Sequence, residues 1–221
     1  MTSDPFDNIP ADDSPSPDSR GGAAFDGLEW VSSIHPEKAP LLRKGWGPLG
    51  APFRTWVYYS ASGELLRAVL RFTKPDGSKE IRPATFWRGS DGRIQWRLKA
   101  EPDGYKRPLY GLDRLAKRPS APVVLVEGEK AADEAHERLP GFVAMTWPGG
   151  SNAVGKADWS ALGGRNVIVW PDADEAGAKA ADAVRRALSS VAASCALVAL
   201  PPGLPKGWDL ADLWPEGLDL A

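Results

Sequence analysis

Glu127 closes the apolar run of VVLVEGEK, residues 123–130, and Asp172 and Asp174 close a second run in NVIVWPDADEAG, residues 166–177. An apolar run that stops at acids reads as a buried strand carrying carboxylates to the edge of a parallel sheet, where open α/β sheets bind ligands. Side chains alternate along an extended chain, so the Asp-x-Asp spacing points both carboxylates the same way. Glu127 can then complete a three-carboxylate cluster from the neighbouring strand. Hard oxygen donors of this kind suit magnesium or manganese. Asp174 is also well placed to cap the helix of EAGAKAADAV. Capping accounts for one of the three acids, not for a pair at spacing two plus a third at an equivalent strand end. Glu129 and Glu175 read as first-turn helix residues that favour the helix dipole.

The elements that must hold these acids follow from the pattern on either side. From Gly111 onward the rhythm is helix, strand, helix, strand: a short helix at Gly111 to Arg118, VVLVEGE, then KAADEAHERL with Ala131, Ala135 and Leu139 at helical spacing, then FVAMTW. A Gly-rich loop, a helical turn at Asp158 to Leu162, NVIVWP, a helix from Glu175 to about Val191, the strand SCALVAL and a last turn in DLADLW complete it. Such alternation predicts a parallel sheet flanked by helices. From Trp56 to Lys99, short apolar alternations separated by ASGE, KPDGSK and GSDG predict antiparallel hairpins. In LLRAVLRF and RIQWRLK one set of alternate residues is apolar, and the other contains Arg67, Arg71, Arg97 and Lys99. The expectation is a sheet with one core face and one basic face.

Glu-Gly after one strand, then Asp-x-Asp-x-x-Gly after a later one, resembles the Toprim domain shared by DnaG-type primases, topoisomerases and some nucleases. RPLYGLDRLAKRPSAPVVLVEGEKAAD, residues 107–133, resembles the stretch where primases of phages, plasmids and integrated elements enter that domain. KGWDLADLW, residues 206–214, resembles its acidic close. The resemblance spans roughly residues 55–216. It implies an α/β fold: a Toprim-like parallel sheet flanked by helices, preceded by a small antiparallel β-rich subdomain. The expected organisation is a disordered acidic tail over 1–24, a basic β-rich subdomain over 25–119 and a Toprim domain over 120–221.

The implied activity is magnesium- or manganese-dependent nucleotidyl transfer for primer synthesis on single-stranded DNA from nucleoside triphosphates, alongside a replicative helicase. Glu127, Asp172 and Asp174 would be catalytic and metal-binding, with Asp209 a fourth ligand. Asp209 and Asp212 also fit a self-capping turn, three residues apart. Lys106 and Arg107 would hold nucleotide or template phosphate, and the face with Arg67, Arg71, Arg97 and Lys99 would carry template. A Toprim nuclease using the same acids with water, and a non-catalytic nucleic-acid-binding accessory, are the alternatives. A topoisomerase, which needs strand-gating and tyrosine domains, is not expected of these 221 residues.

Charge is partitioned in the same sense. Residues 1–30 hold seven acids against one basic residue, residues 31–119 eighteen basic against eight acidic, and residues 120–221 fourteen acids against eight basic. A basic segment beside an acidic metal-site candidate suits a protein that processes polyanions. One cysteine and two histidines exclude an internal disulfide and the usual cysteine-rich zinc site. No apolar stretch approaches the ~20 residues of a membrane span, so a cytoplasmic protein is expected. GSNAVGKA, residues 150–157, fits the Gly-x-x-x-x-Gly-Lys phosphate loop until Ala157 replaces the required hydroxyl. It reads instead as a loop lining the acidic edge. Cys195 reads as a small core residue.

Overall fold

The structure, a computed structural model, describes residues 27–214, which divide after Tyr105 into two compact units. The acidic tail expected over residues 1–24 lies outside the described residues. Among the described residues no helix is long and apolar enough to cross a membrane.

The first unit is an antiparallel sheet of β1 (Glu29–Val31), β2 (Arg54–Tyr59), β3 (Leu65–Thr73), β4 (Lys79–Arg88) and β5 (Ile94–Arg97). The order is β1-β4-β3-β2, with β5 also on β4. Strand β4 pairs β3 over Lys79–Ala84 and then β5 from Thr85 onward. Pro83 stands beside this change of partner, where a missing N–H removes little from a continuous ladder. The expected alternation puts Ala68, Leu70 and Phe72 on one face, packed with Ala84, Phe86 and Trp96.

The opposite face is not the solvated basic surface the sequence suggests. Trp56, Tyr58, Val69 and Trp87 are buried there, and Arg67 is 0% exposed. The chain beyond β5 returns across that face. Thr85 Oγ1 donates to the Lys99 carbonyl at 2.7 Å, and Trp87 Nε1 donates to Thr85 Oγ1 at 2.7 Å. Lys99 Nζ lies 4.3 Å from the Trp87 ring centroid, and Arg67 Nη1 lies 2.7 Å from Glu101 Oε1. A returning segment is a long-range feature that strand alternation cannot announce.

The second unit contains α1 (Leu112–Lys117), β6 (Val123–Val126), α2 (Glu129–Arg138), β7 (Val143–Met145), β8 (Asn166–Trp170), α3 (Glu175–Leu188) and β9 (Ser194–Leu197). Its four strands are parallel in the order β7-β6-β8-β9. Central β6 is covered on both faces, which is why VVLV is apolar throughout rather than alternating. Val123, Leu125, Val143, Met145, Val167 and Val169 pack with Ala180, Val184 and Leu188 of α3, while α2 packs against β6 and β7. This is the expected α/β arrangement, a parallel sheet flanked by helices together with a separate antiparallel sheet.

Details differ from the sequence reading. The Gly-rich loop winds into a 3-10 helix over Ser151–Lys156, α3 stops at Leu188, and residues 209–212 form a turn rather than a helix. The sequence boundary at 119/120 also differs from the observed division. Arg107 bridges Ala157, Tyr110 bridges Thr146, and α1 packs on β7, so residues 106–119 belong with the parallel sheet.

Candidate functional site

Glu127 is the first residue beyond β6, and Asp172 and Asp174 follow β8, its neighbour in the sheet. Both strands run parallel and in register, so all three acids emerge at the same edge. Gly128, at φ 83°, makes the turn from β6 into α2 in a conformation other residues avoid, and its N–H donates to Thr146 Oγ1 at 3.0 Å. Glu127 Oε1 accepts the Ser151 backbone N–H at 3.0 Å. A Cβ on Gly150 would stand 3.5 Å from that same oxygen. The 3-10 loop therefore wraps Glu127 closely. It is itself pinned by Lys106, whose ammonium donates to the Gly155 carbonyl, and by the Arg107 N–H donating to the Lys156 carbonyl at 2.8 Å.

The Asp-x-Asp loop is held from two sides. Asp174 caps α3, its Oδ1 accepting the Gly177 N–H at 2.8 Å. Gly177 is buried so tightly that a Cβ would lie 2.5 Å from the Asp172 carbonyl oxygen and 2.8 Å from its nitrogen. Only a residue without a side chain lets the first turn of α3 come this close to Asp172. On the other side, the Ala173 N–H donates to the Trp208 carbonyl at 2.9 Å and the Gly207 N–H to the Ala173 carbonyl at 3.1 Å. That pairing brings the residues after Gly207, including Asp209, to the same edge. Asp209 Oδ1 accepts the Ala211 N–H at 2.6 Å and Asp212 Oδ2 accepts the Asp209 N–H at 3.1 Å, so the self-capping turn is also present.

The electrostatics of this edge are those of crowded like charges. Burial raises the Asp172 carboxyl to about 8, and Glu127, Asp209, Asp174 and Asp212 push it the same way. Burial likewise raises Glu127, opposed by the Ser151 N–H and reinforced by Asp174 and Asp209. Among the described residues no Lys, Arg or His forms an ion pair with Glu127, Asp172, Asp174 or Asp209. An all-carboxylate donor set under mutual repulsion matches a hard divalent cation in chemistry. As placed, no three His, Cys, Asp or Glu side chains among the described residues already form a metal nest. Asp174 keeps one oxygen on its cap.

The six expected phosphate-binding residues differ in how the structure places them. Arg67 is buried against Glu101, Arg107 is 8% exposed, and Lys106 holds Gly155. Lys99 covers Trp87, Arg71 sits 5.6 Å from the Phe53 ring centroid, and Arg97 is half-buried beside Thr85. Burial corrects the expectation for Arg67 outright, because a guanidinium with no accessible surface and a carboxylate partner does not meet template phosphate. Sequence reasoning missed Ser151, which meets Glu127 through its backbone N–H and its hydroxyl, and Lys206, which lines a cleft with Asp174 and was in view only as the first letter of KGWDLADLW. It also missed the packing role of Gly177, although that residue closes the Asp-x-Asp-x-x-Gly motif.

One family model matches the chain, a domain of unknown function (DUF6371), over residues 70–173. No curated protein matches. Among solved structures, the chain is similar to a DNA primase domain from Pseudomonas aeruginosa, with TM-score 0.45, 14% identity, and coverage of 81% of this chain and 50% of that one. It is also similar to a DnaG primase catalytic domain bound to ssDNA, with TM-score 0.33, 18% identity and coverage of 70% and 50%. The RNA polymerase domain of Mycobacterium tuberculosis primase DnaG gives TM-score 0.32, 22% identity and coverage of 71% and 54%. The chain spans about half the length of each of these structures.

Proposed function

We propose that this chain is a primase-like nucleotidyltransferase that extends a primer on single-stranded DNA with magnesium or manganese. The observation that carries the reading is the edge of the parallel sheet. There Glu127, Asp172, Asp174 and Asp209 share one electrostatic field that no cation among the described residues pairs with, and Asp172 is raised to about 8. Carboxylates left in mutual repulsion cost folding energy, and a site is the reason to keep them.

Asp172 and Asp174 would hold the metal, with Glu127 and Asp209 completing the set. When bound, the metal stabilises charge on the attacking and leaving oxygens of phosphoryl transfer. The chain's own part begins with positioning. Ser151 fixes Glu127, Gly177 lets α3 hold Asp172, and the Gly207–Trp208 pairing brings Asp209 in. In the transfer a primer 3′-hydroxyl attacks the α-phosphorus of a nucleoside triphosphate, pyrophosphate leaves, and the hydroxyl proton passes to a carboxylate of the cluster. Glu127, fixed by the Ser151 N–H, suits that step.

Incubation of the protein with single-stranded DNA, labelled nucleotides and magnesium tests this. Products longer than the input support polymerisation. Shorter products place the same acids in a nuclease, and no change in length overturns both.

A further inference from the structure

The two edges of the parallel sheet are treated differently. At one, Tyr110 and Thr146 exchange backbone hydrogen bonds beside the end of β7, and α1 packs on the strand. At the other, among the described residues β9 pairs with β8 alone. We propose that the open edge of β9 pairs with β9 of a second copy of this chain, antiparallel about a two-fold axis at Ala196, joining the two four-stranded sheets into one.

Backbone geometry selects the partner. The Ser194 N–H donates to the Arg165 carbonyl and the Val198 N–H to the Val169 carbonyl. Alternation along the strand then turns the amides of Ser194, Ala196 and Val198 toward β8, and those of Cys195 and Leu197 away from it. An open edge of this kind is a template for another strand. With Ala196 opposite its own copy, Cys195 stands opposite Leu197 of the second copy, and each such pair exchanges two hydrogen bonds. Every outward N–H and C=O of these two residues is then matched.

Side chains permit the approach. Ala196 and its copy form the close, non-hydrogen-bonded pair, where Cα atoms stand about 4.5 Å apart and a methyl group fits. Leu197 is 39% exposed, and no charged residue occurs between Arg186 and Lys206, so no like charges meet along the strand. Arg185 of α3, whose charge reaches Cys195, is paired with Asp182 at 3.5 Å. Natural sheets commonly guard an exposed edge with Lys, Pro, a bulge or a cover. Strand β9 runs in unbroken register on β8 with none of these. A two-fold contact uses the open edge of both copies, so it closes at a dimer.

Sedimentation equilibrium of the full chain over a concentration series tests the pairing, and a monomer–dimer equilibrium is the expected result. Leu197→Pro removes an N–H that points away from β8, a position where an edge strand tolerates proline, and should weaken the dimer about tenfold. Leu197→Lys, at an exposed position, should do the same by placing like charges about 7–8 Å apart across the axis, an effect that salt reduces. Leu197→Thr keeps the N–H in a residue that suits strands and should still dimerise. In the wild type, hydrogen exchange of the Cys195 and Leu197 amides should slow at dimer-forming concentration and quicken on dilution, while Ala196 stays protected at both.

A wild-type chain that is monomeric throughout the series overturns the proposal. So does a dimer that survives in both Leu197→Pro and Leu197→Lys, which would lie on another surface, and so does growth beyond the dimer. If Leu197→Pro fails to fold, Leu197→Lys and the exchange pattern decide the question.

Discussion

The two units handle charge in opposite ways. In the antiparallel unit, several basic residues are matched: Arg67 with Glu101 in the interior, Arg82 with Glu80, and Arg88 with Glu29, while Lys99 and Arg71 lie against aromatic rings. At the edge of the parallel unit, Glu127, Asp172, Asp174 and Asp209 emerge within one another's electrostatic influence with no ion-pair partner among the described residues. Charges that serve the fold come with partners supplied by the chain. Charges left without partners are available to a ligand, and this contrast, more than the count of acids, is what singles out the candidate site.

The sharpest way to break the contrast is Asp172→Asn. It should lower magnesium-dependent nucleotide incorporation by more than about a hundredfold, beyond the loss typical of a residue supporting a metal ligand. Thermal unfolding without metal should change little at neutral pH, where Asp172, raised to about 8, already holds its proton, and should rise above that pH, where a repelling charge is gone. A variant that unfolds readily would make Asp172 a structural residue.

The matched side predicts the reverse. Glu101→Gln leaves Arg67 buried without its carboxylate and should destabilise the antiparallel unit by about 3–5 kcal/mol in urea unfolding. Replacing both residues together, as Arg67→Met with Glu101→Leu, should recover most of that loss, since a well-packed apolar pair often equals a buried ion pair. Equal losses in the single and double variants would mean the pair matters for its shape and not its charge.

Gly177→Ala probes the join between fold and site. A Cβ at 2.5 Å from the Asp172 carbonyl oxygen forces the first turn of α3 away from the Asp-x-Asp loop. The expected cost is about 1–3 kcal/mol, as for overpacking, with weaker magnesium binding than the stability loss alone explains. Full magnesium affinity in that variant would show that the cluster tolerates displacement of α3.

A smaller effect comes from pH. Asp172 is raised to about 8 from an ordinary 3.8, so between those values the folded chain holds a proton that the unfolded chain has lost. Stability without metal should be greatest at the acid end of that window, and should fall as pH rises to about 8. Glu127, also raised, acts in the same direction. Excess magnesium should flatten the slope. A metal-free protein more stable at pH 8 than at pH 5 would contradict the crowded-carboxylate account.

How much of this was legible follows from what is local. The acid-terminated strands β6 and β8, the Asp174 cap and the apolar face of β3 are set by residues within a few positions, and they read correctly from spacing. The fate of Arg67 depended on Glu101, thirty-four residues on, carried back by a segment with no strand pattern. Alternation exposed which side Arg67 faces but not that the side is covered. The Ser151 contact uses its backbone N–H and its hydroxyl, and depends on a loop path that spacing does not announce. Lys206 joins the cleft because Gly207 pairs with Ala173, a contact between segments more than thirty residues apart.

Magnesium titration followed by thermal unfolding tests the central claim most directly, because it asks whether the unmatched carboxylates bind a cation regardless of the reaction. Wild-type protein should unfold at progressively higher temperature as magnesium rises, and Asp172→Asn and Asp174→Asn should each remove most of that gain. Glu101→Gln, which breaks the buried pair with Arg67 in the other unit, should keep it in full. An unfolding temperature indifferent to magnesium in the wild type, or a gain that survives in both aspartate variants, would contradict the account.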